Sequence, residues 1–147
     1  PWQAERSIPR WLGAGGAKAA AGRARWVEIV RREGKVARRG RLPVVEDVVD
    51  SPGLTARLDR AVNQDGARGI VLLETAAQAL ASELAEASGA SAVWLVVGPE
   101  GSITPAELTA FAGAGARTAR LGPEVLRTAL AGVAALVLAA HQLGRWS

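Results

Sequence analysis

Ala92-Val93-Trp94-Leu95-Val96-Val97-Gly98-Pro99-Glu100-Gly101 is the stretch on which the fold of this 147-residue chain turns. Six apolar residues in a row, ended by a Gly-Pro pair, read as a strand buried on both faces, the kind found in parallel sheets. Just beyond it, Thr104-Pro105-Ala106-Glu107 combines a capping box with proline at the first helical position. A helix is expected from there to about Ala114, closed by Gly115. Strand, glycine loop and helix, in that order, are the parts from which α/β proteins build ligand sites.

The same alternation extends in both directions. Upstream, Gly69-Ile70-Val71-Leu72-Leu73 is a second continuous apolar run, followed by a predicted helix from Thr75 to about Ala87. Downstream, Arg117 to Leu121 reads as a short third strand, and Leu121-Gly122-Pro123-Glu124-Val125-Leu126-Arg127-Thr128 as a second glycine-bearing loop. The last helix is expected over Glu124 to about Leu143, rich in small residues that let another backbone or a partner subunit come close. Nearer the start, Pro43 to Val49 reads as a short strand, and Ser51-Pro52 as the cap and first-turn proline of a helix through about Val62. Asn63 to Gly66 reads as a turn, Ala17 to about Arg39 as a helix, and residues 1–16 as an irregular lead-in. Strands alternating with helices predict an α/β domain with a mainly parallel sheet flanked by helices.

Composition narrows the function classes. A chain of 15.2 kDa with 49% hydrophobic residues can bury one sizeable core and reads as a single domain. With no cysteine, thiolate catalysis, disulfides and thiolate metal sites are excluded, and one histidine without clustered carboxylates indicates no metal. The longest apolar stretch, Ala129 to Ala140, is too short to span a bilayer, so a soluble, cytoplasmic protein is expected. Because the chain opens at Pro1 and not at Met, an upstream segment is expected too. Residues 1–41 hold eleven of the 18 basic side chains and three of the 14 acidic ones, and most of the cations are arginine. That segment reads either as a phosphate-binding surface for RNA or DNA, with arginine matching phosphate and stacking on bases, or as a solvated helix face. A dinucleotide-binding reading lacks both the G-x-G-x-x-G fingerprint and a P-loop lysine.

The two loops also carry a family resemblance. Gly98-Pro99-Glu100-Gly101 with Thr104-Pro105-x-Glu107-Leu108, then Leu121-Gly122-x-x-Val125-Leu126-Arg127-Thr128 and an alanine-rich helix ending Leu143-Gly144-Arg145-Trp146, resemble the SPOUT-class methyltransferases, and within them the RsmE family. Glu5-Arg6-Ser7, Arg25-Trp26 and Lys35-x-Ala37-x-Arg39-x-x-x-Pro43 are similar to that family as well. The resemblance implies a C-terminal deep trefoil knot, S-adenosylmethionine as cofactor, a homodimer, and methylation of nitrogen 3 of a uridine in small-subunit ribosomal RNA. It also implies a PUA-like RNA-binding domain upstream. The chain departs from the family at Arg32, Val36, Ser102, Ala129 and Leu130, which leaves a weakened or inactive RNA-binding or assembly module as the alternative.

Carried over position by position, the resemblance places the cofactor against Leu72, Leu73, Val97, Gly98, Glu100, Gly101, Leu121, Gly122, Val125, Leu126 and Arg127. Glycines let main-chain groups reach the edge of a flat heterocycle, and the aliphatic residues can supply its walls. Taken singly, each loop also fits an ordinary turn with a helix cap. Arg127 is the catalytic candidate: the uridine nitrogen must lose its proton, and a guanidinium near the flanking carbonyl oxygens would favour the anion. Its structural alternative is an arginine tied to a loop carbonyl. Glu100 is a possible base or orienting group, or simply an acceptor for loop N–H groups. The RNA-binding candidates are Arg6, Arg25, Arg32, Arg38 and Arg39, and His141 is expected as a packed or surface imidazole.

Overall fold

The computed structural model describes residues 1–13 and 16–146. Its centre is a parallel sheet of three strands, β1 (Arg68–Leu72), β2 (Val93–Val97) and β3 (Arg117–Ala119), in the order β2-β1-β3. Ile70 lies opposite Leu95 on one side and Arg117 on the other, and Leu72 opposite Val97 and Ala119. The described residues form five α-helices, α1 (Ala17–Val36), α2 (Ser51–Asp59), α3 (Leu80–Glu86), α4 (Pro105–Gly113) and α5 (Thr128–Gln142), of which α2 to α5 pack on the sheet.

Alternation along the strands sorts the core into two layers, because successive side chains leave opposite faces of the sheet. Val71 and Val96 join Leu54 and Leu58 of α2, Ile103, and Phe111 of α4 on one face. Ile70 and Ala119 join Leu80 and Leu84 of α3, and Ala135 and Ala139 of α5, on the other. The alanines of α5 thus serve close packing against the sheet.

Helix ends follow their local chemistry. Thr104 and Glu107 form a complete capping box at α4, with Thr104 Oγ1 accepting from the Glu107 N–H and Glu107 Oε2 accepting from the Thr104 N–H. At the other end Gly115, at φ +84°, closes a Schellman motif in which Ala116 N donates to Phe111 O and Gly115 N to Ala112 O. Helix α1 ends the same way, three residues earlier than expected, with Arg38 at φ 49° in the position usually held by glycine.

Several expected elements are shorter or absent, each for an identifiable reason. The cap of α2 is Asp50, whose carboxylate accepts from Gly53 N, so Ser51 is already helical. Its last turn widens into a π-helical turn, Arg60–Gln64, where a turn at Asn63 was expected. Residues 43–48 are not a strand: Val44, Val45 and Val48 are β-branched but meet no sheet edge, and Val49 alone forms an isolated bridge with Trp2. Residues 75–79 are not helical, and the third strand stops at Ala119. Both changes arise where these segments run side by side as an isolated parallel bridge, Ala79 opposite Arg120: Arg120 N donates to Gln78 O, Leu80 N to Arg120 O, and the Arg120 guanidinium to the carbonyls of Ala76 and Ala77. Helix α5 starts at Thr128, leaving residues 124–127 as loop.

Glu107 joins three parts of the chain. Its buried carboxylate also accepts from Ser51 Oγ of α2 and from the Glu5 N–H, while Trp2 Nε1 donates to Ser51 Oγ and the Trp2 ring meets Phe111 edge-on at 5.3 Å. Burial alone would push this carboxyl up, but the hydrogen bonds from Ser51, Glu5 and Thr104 outweigh it and hold Glu107 below the usual carboxylate range.

Because the folded group is the stronger acid, its stabilisation is complete above the unfolded carboxylate range and is lost as pH falls through the folded value. Thermal melts should therefore show the stability of the chain falling below about pH 4.3, and Glu107→Gln should flatten that acid limb while lowering stability at pH 7 by about 1–3 kcal/mol. Arg120→Ala removes the donors to two carbonyls at the bridge, and differential scanning calorimetry should show a loss of about 1–3 kcal/mol, with Arg120→Lys recovering part of it.

Candidate functional site: a cleft at the carboxyl edge of the sheet

The carboxyl ends of β1 and β2 and the loop that follows β3 open onto one cleft of about 280 Å3. Parallel strands bring this about: every strand points the same way, so the loops that leave them gather at one edge. Thr128 Oγ1 donates to Gly98 O at 2.9 Å and joins the start of α5 to the loop after β2. The parallel bridge between Ala79 and Arg120 holds the segment after β1 beside the segment after β3, and Leu73 N donates to Ala119 O at 3.0 Å.

Ten of the eleven residues expected around a cofactor line this cleft: Leu72, Leu73, Val97, Gly98, Glu100, Leu121, Gly122, Val125, Leu126 and Arg127. Gly101 does not. It faces the N-terminal segment, where its carbonyl accepts from Arg6 Nη1 at 3.4 Å and an added Cβ would come within 2.9 Å of Arg6 O. The close backbone contact that requires glycine at 101 is therefore internal. At Gly98 an added Cβ would lie 2.5 Å from Ile103 Cγ1, so the loop folds tightly against its own side chain.

The sequence reading missed Glu74, Ser102, Ile103, Glu124, Thr128 and Ala131, all of which line the cleft. Pro99 does too, and its place inside the quoted motif could have flagged it. Ser102 holds φ 65°, a left-handed conformation that costs a non-glycine residue about 1–2 kcal/mol. The aliphatic walls, the main chain at residues 98 and 122 and the few polar side chains suit a flat, partly polar molecule.

Arg127 is the residue preceding α5 and is exposed, and among the described residues no carboxylate lies within ion-pair distance of it. Glu100 is exposed at the rim, and His141 is exposed in the last turn of α5. Of the basic candidates, Arg25 and Arg32 lie on α1, Arg38 and Arg39 at its end, and Arg6 apart from them beside Gly101. Among the described residues no group of three or more potential metal ligands gathers, and no helix is long and apolar enough to cross a membrane.

Comparison with known proteins places this architecture. The family model of the RNA methyltransferase domain matches residues 1–140. Ribosomal RNA small subunit methyltransferase E of Mycobacterium bovis is 40% identical over 145 residues, covering 99% of this chain and 53% of that protein. The protein of the same name from Bacillus subtilis is 29% identical over 147 residues, covering 97% and 54%. A crystal structure of ribosomal RNA small subunit methyltransferase E from Neisseria gonorrhoeae, bound to S-adenosyl methionine, superposes with a TM-score of 0.74 at 29% identity, over 97% of this chain and 53% of that one. The chain thus spans about half the length of the curated relatives it matches. A model matched along nearly the whole chain, by a parallel α/β fold with its cleft at the strand ends, establishes that the chain belongs to the RNA methyltransferase domain family.

Proposed function

We propose that this chain is the catalytic domain of an S-adenosylmethionine-dependent methyltransferase that modifies nitrogen 3 of a uridine in small-subunit ribosomal RNA, in the cytoplasm. The observation that carries the proposal is the convergence of two loops, far apart in sequence, on one cleft walled by Leu72, Val97, Leu121 and Leu126. The fit to S-adenosylmethionine rests on this donor set: exposed main chain at two glycines for the edge of an adenine, aliphatic side chains for its faces, and carboxylates for cationic groups. When bound, that molecule supplies an electrophilic methyl group on a sulfonium.

The chain's own residues supply the rest. Arg127, without a carboxylate partner and at the cleft wall, is placed to stabilise negative charge on the carbonyl oxygens beside the uridine nitrogen. Leu72, Leu73 and Ile103 exclude water and strengthen that interaction. The same reading extends to the C-terminal trefoil knot that the family resemblance implies.

A homodimer belongs to the same reading. Helix α5 turns Ala131, Ala135 and Ala139 to the core and leaves Leu130, Val133, Leu136 and Val137 exposed on its opposite side, with Leu126 and Val125 beside the cleft. A contiguous apolar patch of this kind marks an interface, and a second copy seated there would cover the rim formed by Val125 and Leu126.

Titration calorimetry with S-adenosylmethionine is the direct test. Binding heat at micromolar to millimolar cofactor is expected, and none from a folded chain would favour the inactive RNA-binding module. Arg127→Ala should leave the cofactor Kd within about threefold and lower methyl transfer to small ribosomal subunits by about 10²–10³. Equal losses in both would make Arg127 a wall of the pocket. In sedimentation velocity the wild type should run as a dimer and Leu136→Glu as a monomer.

A further inference from the structure

We propose that α1, together with Trp11, forms a stacking platform for unpaired RNA, a role that deepens the reading of the chain as an RNA-modifying domain. Helix α1 is attached along one side only. Gly34 is its single buried residue, covered by Leu42, and Arg23 pairs with Asp47 at 3.1 Å. On the adjoining side the indole of Trp11 lies over Gly22, where an added Cβ would stand 3.2 Å from Trp11 Cε2. Gln3 Oε1 accepts from the Trp11 and Leu12 main-chain N–H groups and holds the backbone that carries that indole. One helical turn beyond Gly22 stands Trp26, half exposed, followed by Ile29 at 41% exposure.

Helix α1 carries six cations and two carboxylates. Positions 22, 25, 29, 32 and 36 recur at spacings of three and four, so Arg25 and Arg32 lie on the same side as Ile29, with Glu28 within one turn of both and Arg32 paired to Glu33 at 2.8 Å. Beyond the helix end Arg38, Arg39 and Arg41 continue the charge, all exposed. Two indoles interleaved with arginines suit a single strand: each base offers a face for stacking, while the guanidiniums take the phosphates. A duplex keeps its bases paired and stacked and offers the indoles no free face. A second copy of this chain is disfavoured at this face, because a two-fold contact would set the same arginines against themselves.

The test uses fluorescence anisotropy with a labelled 12-nucleotide single-stranded RNA and with the same sequence as a blunt duplex. The single strand should bind more tightly. Trp26→Ala should weaken single-strand binding about tenfold and leave the dependence of log K on log salt unchanged, while Trp26→Phe keeps most of the affinity. Arg25→Gln should reduce the salt slope by about 0.7. Equal or tighter duplex binding would overturn the proposal, as would wild-type affinity in Trp26→Ala or a change in its sedimentation. Calorimetry with S-adenosylmethionine on the same variants separates the two readings: unchanged cofactor heat with unchanged RNA affinity rejects the platform alone. Absence of any RNA binding by the wild-type chain, with cofactor heat intact, rejects the platform and RNA as its partner together.

Discussion

The bridging of residues 76–80 by Arg120 is the constraint on which the cleft depends. A parallel sheet delivers its loops to one edge but does not fix how they lie against each other once past the last strand pair. Here β3 is only three residues long, and its pairing with β1 ends at Ala119. Beyond that point the main chain of Arg120 bonds to Gln78 and Leu80, and its guanidinium takes the carbonyls of Ala76 and Ala77. Of these peptide groups, those of the buried Ala76 and Leu80 are the ones that need a partner inside the protein. The walls after β1 and after β3 are thereby held as one unit, and Thr128 adds the loop after β2 through Gly98 O.

A second tie operates on the other face of the sheet. Glu107 is readable in the sequence as half of a capping box, a contact over three residues, but the structure also gives it Ser51 and Glu5, far away in the chain. A carboxylate with several donors is worth burying only if all of them are present, so α2, α4 and the N-terminal segment are coupled at this point. Through that segment the effect reaches the ligand loop, because Arg6, next to Glu5, lies against Gly101.

What could be read from sequence followed from local rules. The apolar runs at 69–73 and 92–97 gave the central strands nearly to the residue, and Thr104-Pro105 with Gly115 bounded α4. Misreadings fell where tertiary contacts override propensity. Thr75-Ala76-Ala77-Gln78-Ala79 is composed mostly of good helix formers, yet three of its carbonyls are taken by Arg120. Val44 and Val45 favour strands, yet Val44 is 80% exposed and has no edge to join. Glu124 to Arg127 continue the helical pattern of α5 but form the cleft wall instead. In the candidate site, quoted motifs led to ten lining residues, whereas Glu74, Ile103 and Ala131 carry no local signal and become visible only when the chain is folded.

Charge is divided between the two surfaces in a way that bears on how they would work together. The chain is net basic, but the cleft is lined by Glu74, Glu100 and Glu124 against the single cation Arg127. A polyanion is therefore drawn to α1 and its arginine-rich end and repelled from the cleft mouth, over distances set by the Debye length. Under the proposed reading, a neutral base could enter the cleft while its phosphates stay outside on the basic surface. The same carboxylates favour a cationic methyl donor over its uncharged-sulfur product, so the electrostatics that keep phosphate out also help to clear the product after transfer. Under the same reading Arg127, the cation among the described lining residues, is the group that would offset negative charge developing on the base.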